Sequence, residues 1–388
     1  MPMENIFMKR SKELLLLLLT LVFYGNFLSR VSLSPLLPII RDEFAISTGQ
    51  ASQLFLFLSV GYFVAQMASG FLAARFGHKR SILISIFFSS LFLLGMAMSN
   101  FIGLYSWFVF GLGLATGIYL PSGISTITTM FPSKNWGRAV SVHEFAPNLA
   151  FLTAPIFVTF FTKHYNWHYF LITLSLFTFC LGILVAVSGL ENRLGQAPSL
   201  SSCKKFLATR EYWLMITVFG LGITGTLGVY NMLPVFLVQW HAYTDADANY
   251  ILSLSRISTL FTAFLGGMLV DKFGSRKMVR LVLLVSGLLT LSLGMLQGFF
   301  LKIAVFLQPV FAVCFFPAAF AAISEMTTQR ERNLLVSMIV PSAFVIGSGI
   351  MPRFMGWFAD MGRFDMGFGA TGLLILIGVV AARALERL

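Results

Sequence analysis

Two stretches of this chain decide its fold. One is Gly267-Met268-Leu269-Val270-Asp271-Lys272-Phe273-Gly274-Ser275-Arg276-Lys277; the other is Gly70-Phe71-Leu72-Ala73-Ala74-Arg75-Phe76-Gly77-His78-Lys79-Arg80. Each closes a long apolar run with a glycine, a second glycine seven residues on, and a basic tail. The first glycine lets helices approach closely, the second permits a tight turn, and the cations stay in water at the membrane surface. Gly70 and Gly267 lie 197 positions apart, so the motif is a repeat.

Other markers keep the offset. Pro38 and Pro234, Pro121 and Pro317, and Ser141 and Ser337 are each 196 residues apart. Around them run apolar segments long enough to cross a membrane, which takes about 20 residues of helix. Twelve are expected, over 13–40, 49–75, 79–98, 101–131, 137–162, 167–189, 213–240, 247–271, 278–299, 302–328, 333–359 and 366–385. They lack the period-two alternation of barrel strands. The polar stretch from Glu191 to Glu211 divides them six and six. The expected domains are therefore a six-helix bundle over 1–190, a cytoplasmic linker over 191–212 and a second bundle over 213–388. Internal repeats of this kind mark secondary transporters, in which two bundles rock about a site near the membrane midplane.

Composition agrees. The chain has 388 residues, 57% of them hydrophobic and 11% charged, with a mean hydropathy of +0.84. Soluble domains carry about 25% charged residues, so most of this chain faces lipid or other apolar helices. The net charge of +12 does not form a basic face, and no groove-reading element accompanies it, which argues against nucleic acid. Twenty Lys and Arg residues lie at the N-terminus, the linker and alternate loops, against four (Arg41, Lys163, Lys302, Arg363) on the other side. The positive-inside bias places both termini and the linker in the cytoplasm of an inner-membrane protein. The basic N-terminus followed by Leu14–Leu19 is read as a retained first helix, since no small-residue cleavage site follows it. Cys180, Cys203 and Cys314 form no CxxC, and the five histidines have no metal spacing. No nucleophile elbow or dinucleotide fingerprint is present, so no enzyme, cofactor or metal is expected.

The loops at Gly70 and Gly267 resemble the signature of the major facilitator superfamily, Gly-x-x-x-Asp-Arg/Lys-x-Gly-x-Arg/Lys-Arg/Lys, and the resemblance spans essentially the whole chain. It implies an all-α fold of twelve transmembrane helices in two pseudo-symmetric bundles. It also implies a cytoplasmic gate latch involving Gly70, Arg75, Gly77, Arg80, Gly267, Asp271, Gly274 and Arg276. The first copy departs from the pattern, with Ala74 where the carboxylate belongs.

A narrower resemblance lies in the first helix. Arg30-Val31-Ser32-Leu33-Ser34-Pro35-Leu36-Leu37-Pro38 looks like that of the anion:cation symporter branch, which includes the organophosphate antiporters, and there such an Arg binds the substrate's anionic group. Val140-Ser141-Val142-His143-Glu144-Phe145-Ala146-Pro147-Asn148 is similar to the fifth helix of the glycerol-3-phosphate antiporter. That protein has a His where Pro147 stands and a second Arg where this chain has Thr226. A two-arginine phosphate clamp is therefore not expected.

Charge breaks the repeat. Arg30 corresponds to Thr226, Arg256 to about Ser59, and His143-Glu144 to Ile339-Val340. Each ionisable group has a neutral counterpart, so symmetry of the scaffold does not account for it. A guanidinium stays charged at ordinary pH and is costly in hydrocarbon, so Arg30 and Arg256 must face a partner or a cavity. Two cations against one carboxylate favour an anion. A carboxyl drawn out of water protonates more readily, and imidazole titrates near neutrality. Glu144, assisted by His143, is thus the candidate proton carrier, and Glu144 is also a candidate buried partner for Arg256. Tyr119, Asn148 and Tyr62 are candidate substrate contacts. Asp360, seven residues after Arg353, is placed to pair with it if the helix stays regular.

The expected function is secondary transport of a small organic anion, a carboxylate, driven by the proton gradient through alternating access. Its partners would be that anionic solute and membrane lipid, with the protein a monomer. Two rivals remain open: a proton-driven exporter of drugs, siderophores or metabolites, and a non-transporting membrane sensor.

Overall fold

The structure is a computed structural model. It describes the backbone of residues 3–197, 206–326 and 329–386, and the side chains of these except 3–11, 263–264, 326, 329–334 and 386. Cys203, Lys204, Lys205 and Arg387 lie outside the described residues, as do the side chains of Lys9, Arg10, Arg330 and Arg332.

Among the described residues, eleven helices are long and apolar enough to cross a membrane, and a broken pair supplies a twelfth span. They are α1 (Lys12–Glu43), α2 (Thr48–Phe76), α3 (His78–Met98), α4 (Ile102–Met130), α5 (Ser133–His164), α6 (Trp167–Val187), α7 (Arg210–His241), α8 (the pair Asp245–Thr262 and Leu265–Phe273), α9 (Ser275–Met295), α10 (Gly298–Glu325), α11 (Leu335–Asp360) and α12 (Phe364–Leu385). Every expected span finds one of these.

Several helices are interrupted inside the membrane, and the sequence says where. Proline lacks the N–H that would bond the carbonyl four residues back. Pro35 thus frees the Val31 carbonyl, and α1 breaks at Ser32, between Val31 and Leu33. Pro121 follows the break in α4 after Gly117. In hydrocarbon such freed groups need partners. The Tyr230 carbonyl, freed by Pro234, accepts from Ser34 Oγ at 2.7 Å. The Ser348 carbonyl, freed by Pro352, accepts from Asn231 Nδ2 at 3.1 Å. Ser34 and Tyr230 are themselves one repeat offset of 196 residues apart, so α1 meets α7 at equivalent positions.

Close packing divides the chain into two compact units. One comprises Met1–Val31, Gly61–Thr153 and Phe160–Pro198; the other comprises Ser32–Val60, Ala154–Thr159 and Ser199–Leu388. The first half of the sequence therefore contributes to both. In the first unit, α3 and α6 exchange hydrogen bonds, Ser90 Oγ to Ser175 O at 3.0 Å and Ser175 Oγ to Ser90 O at 2.7 Å. In the second, α9 and α12 lie backbone to backbone: a Cβ on Gly287 would crowd Gly372 and Leu376, and one on Gly372 would strike Leu291. Small residues at crossings are the usual route to tight association in lipid. Also in the second unit, the start of α2 meets the end of α11. The Asp360 carboxylate accepts from Gly49 N and Ser47 Oγ, both at 2.8 Å.

Candidate substrate and proton site

Arg30 sits one residue before Val31, beside the break in α1, and is 6% exposed. Its guanidinium carbon lies 4.7 Å from the Phe27 ring centroid and 4.5 Å from that of Tyr62 on α2. Phe27 is three residues back on the same helical face, and Tyr62 arrives from the neighbouring helix. A cation between two aromatic faces is stabilised electrostatically after desolvation, by about 2 kcal/mol or more.

The second unit holds a related pair. Arg256, 3% exposed, caps the helix Asp245–Ser255 at an irregular turn, where Thr259 returns both its N–H and its hydroxyl to the Arg256 carbonyl. Its guanidinium carbon lies 4.7 Å from the centroid of the buried Tyr230 ring on α7. Both arginines therefore stand next to irregular backbone. At membrane depth, irregular backbone persists only inside protein or along a water-filled cavity.

On α5, His143 and Glu144 diverge. His143 is fully buried and stacks on Phe23, with ring centroids 4.4 Å apart and planes 3° from parallel. Its Nε2 lies 3.0 Å from the Tyr119 hydroxyl, which itself donates to the Leu19 carbonyl at 2.7 Å. Its Nδ1 lies 3.3 Å from Glu144 Oε1. The Glu144 side chain is 47% exposed. Of the two, the imidazole is the one packed inside the protein, and the carboxylate lies at the helix surface. Consecutive helical residues point about 100° apart, so one turned inward and the other outward. Glu144 meets His143, and it also lies within electrostatic range of Tyr62 and Tyr119. Asn148, one turn on, donates weakly from Nδ2 to the Glu144 carbonyl at 3.4 Å. Asp360, expected to pair with Arg353, instead spends both carboxylate oxygens on the start of α2.

The two signature loops adopt the same turn. Gly77 and Gly274 have φ of +87° and +84°, a region that favours glycine. Each donates its N–H to the carbonyl four residues back, Ala73 and Val270 respectively, at 2.9 and 2.8 Å. Gly70 and Gly267 lie one helical stretch earlier, and Arg75, Arg80, Asp271 and Arg276 are exposed. The first loop is clamped by the linker, which the sequence did not disclose. His78 N donates to Arg193 O at 2.8 Å, Gly195 N to Ala73 O at 2.9 Å, and Asn192 Nδ2 to Phe76 O at 2.9 Å. Asn192 Oδ1 accepts from Arg80 N at 3.3 Å. It thereby caps a helix whose own cap residue, Gly77, has no side chain.

Of the sequence-derived residues, the first unit gathers Tyr119, His143, Glu144 and Asn148 on facing helices, with Arg30 beside Tyr62. Arg256 belongs to the second unit. Tyr62, a candidate polar contact from the sequence, lies against Arg30; the aromatic partners Phe27, Tyr230 and Phe23 were not among the candidates. Phe27 is the one that helical spacing from Arg30 could have supplied.

The Major Facilitator Superfamily family model matches residues 16–246 and 232–387. An uncharacterized transporter of Bacillus subtilis, YybO, is 23% identical over 94% of this chain and 91% of its own length. A probable galactarate/D-glucarate transporter of the same organism, GudP, is 23% identical over 95% of this chain and 89% of its own. A probable L-galactonate transporter of Escherichia coli is 29% identical over 46% of this chain and 39% of its own. Among solved structures, a bacterial homolog of the human lysosomal transporter Spinster, inward-facing and unoccupied, is 14% identical with a TM-score of 0.83 over 97% of both chains. The nucleoside transporter NupG, in a mutant form, gives 0.79 over 96% of this chain and 99% of its own, at 13% identity.

Proposed function

This chain belongs to the major facilitator superfamily, a family of transporters and not of enzymes, and on that premise we propose that it carries a small organic anion, a carboxylate, together with a proton. The observation that carries the reading is the buried Arg30 guanidinium between Phe27 and Tyr62. Two aromatic rings stabilise its charge, and the planar N–H fork of a guanidinium suits a carboxylate. The likeness to transporters named for galactarate, D-glucarate and L-galactonate supports sugar acids as the substrate class. Arg256 is the second cation we assign to anion recognition, on the evidence of its own burial over Tyr230. Asn148 is a polar contact, Glu144 with His143 carries the proton, and Tyr119 acts through His143.

In this reading the signature loops, with Gly70, Arg75, Gly77, Arg80, Gly267, Asp271, Gly274 and Arg276, gate the cytoplasmic side. Residues 1–190 and 213–388 move as the two bodies joined by the linker 191–212. The protein lies in the inner membrane with both termini in the cytoplasm, and works as a monomer.

The test is uptake into proteoliposomes under an imposed proton gradient, with radiolabelled D-glucarate, galactarate and L-galactonate beside the neutral alditols. Acid-driven accumulation of sugar acids that is lost in Arg30→Ala is expected. Uptake of alditols alone, or export of cationic drugs instead, would overturn the proposal.

A further inference from the structure

We propose that Tyr119 is a positioning residue that fixes the tautomer of His143, so that the carried proton has one seat, between His143 Nδ1 and Glu144 Oε1. This rests on the proton-coupling role given above to the His143–Glu144 pair. The argument is an inventory of hydrogens. A phenol has one O–H to donate. Tyr119 places it on the Leu19 carbonyl at 2.7 Å, a backbone acceptor that has no proton to offer in return. Toward His143, 3.0 Å away, the same oxygen can therefore only accept, and Nε2 must carry a hydrogen. Phe23, stacked 4.4 Å from the imidazole, and the full burial of His143 hold the ring in this orientation.

With Nε2 protonated, the neutral imidazole has its lone pair on Nδ1, facing Glu144 Oε1 at 3.3 Å. Two acceptors face each other there unless one proton lies between them. That proton resides either on Nδ1, giving imidazolium and carboxylate, or on Oε1, giving neutral imidazole and carboxylic acid. Both forms are neutral as a pair. When the proton leaves to water the pair becomes −1, and an imidazole lone pair is left against a carboxylate. The exposed Glu144 side chain then has reason to swing away, while the buried ring does not. The proton thus enters and leaves at the Glu144 end, and its departure is tied to a movement of that side chain. The groups facing the pair are Tyr119 from α4, Tyr62 from α2, and the Leu19 carbonyl and Phe23 ring from α1.

The test needs no substrate. Ring-nitrogen NMR of isotopically labelled histidine, with the His143 signals assigned by their loss in His143→Gln, reads protonation at each nitrogen across pH. In the wild type, the neutral ring should carry its hydrogen on Nε2. Tyr119→Phe keeps the ring and removes the acceptor for Nε2–H, so the neutral form should divide between the two tautomers. A wild-type neutral ring protonated on Nδ1, or an unchanged tautomer in Tyr119→Phe, would overturn the proposal. Should Tyr119→Phe fail to fold, the wild-type tautomer alone decides. Failure of the anion reading looks different: the titration persists, and sugar-acid uptake is indifferent to Arg30→Ala.

Discussion

Replacing Arg30 with methionine separates recognition from folding. Methionine nearly matches the arginine stem in shape and leaves Phe27 and Tyr62 something to rest on. The lost interaction is a pair of charge-assisted hydrogen bonds to a carboxylate, each worth about 1.5–3 kcal/mol. Summed at about 3–6 kcal/mol, this predicts a loss of about 100- to 20,000-fold in sugar-acid affinity, at 1.4 kcal/mol per decade. Arg30→Lys keeps the charge but loses the planar fork and most of its stacking, so about 1–2 kcal/mol, or about 5- to 30-fold, should go. Stability should move the other way. Desolvating a guanidinium is costly, and replacing a buried charge by an apolar side chain of similar volume is often neutral or stabilising. The assay is titration of D-glucarate, galactarate and L-galactonate into purified protein by calorimetry, paired with thermal melting of the ligand-free protein. Unchanged affinity in Arg30→Met would refute the reasoning. So would a melting temperature that collapses along with affinity, because then Arg30 is a structural group first.

Glu144→Gln keeps an acceptor for the imidazole but removes the exchangeable acid, so substrate-driven proton flux into liposomes should vanish while counterflow of labelled substrate continues; flux that persists removes Glu144 from coupling. Asp360 accepts from Gly49 N and Ser47 Oγ at the start of α2. In Asp360→Ala, a cysteine at Ser52, placed in a background without Cys180, Cys203 and Cys314, should be alkylated several-fold faster by a membrane-impermeant maleimide, and an unchanged rate would show that this contact does not hold the start of α2 against α11. Asn192→Ala removes the borrowed cap of α3 and should cost about 0.5–2 kcal/mol of stability, read as a lower melting temperature, with Asn192→Asp, which can accept from Arg80 N but cannot donate to Phe76 O, recovering only part of it; equal melting of all three would deny the linker a clamping role.

The twelve spans were legible because membrane crossing imposes a length, and length survives in a hydropathy pattern without any knowledge of packing. The breaks at Ser32 and Gly117 were legible for a similar reason, since Pro35 and Pro121 delete specific backbone hydrogen bonds wherever their helices lie. Burial of Arg30 and Arg256 followed from depth. What the sequence withheld was azimuth. Counting residues from the end of α5 gives the height of Glu144 in the membrane, yet its neighbour His143 shares that height and points elsewhere, so height alone does not say which member packs against the neighbouring helices. The same limit hid Tyr230 and the pairing of Tyr62 with Arg30, which depend on the rotation of a second helix. The docking of Asn192 on Phe76 and Arg80 was hidden for another reason: a linker of polar residues carries no periodicity, and its hydrogen bonds to backbone leave no pattern.

The two arginine–tyrosine pairs bear on how a duplicated scaffold acquires chemistry. In the first unit the cation is on α1 and the ring on α2. In the second the ring is on α7 and the cation on α8. The repeat relates α1 to α7 and α2 to α8, so cation and ring have exchanged helices. At the offset of 196, Arg30 falls on Thr226, Tyr62 on Ser258, Tyr230 on Ser34 and Arg256 on Val60, none of them charged or aromatic. Neither pair is therefore a copy of the other. What the halves share is a physical condition: two adjacent helices, one interrupted, with a guanidinium beside the interruption and an aromatic face to lie on. Duplication supplied the helices but not these breaks, since α2, the counterpart of the broken α8, runs unbroken from Thr48 to Phe76; hydrocarbon permits a break only where backbone groups are otherwise satisfied. Each half then met the cost of a buried cation by the means its own residues allowed. Charge is thus a better guide to function in this fold than position in the repeat, because nothing in the symmetry of the scaffold requires it.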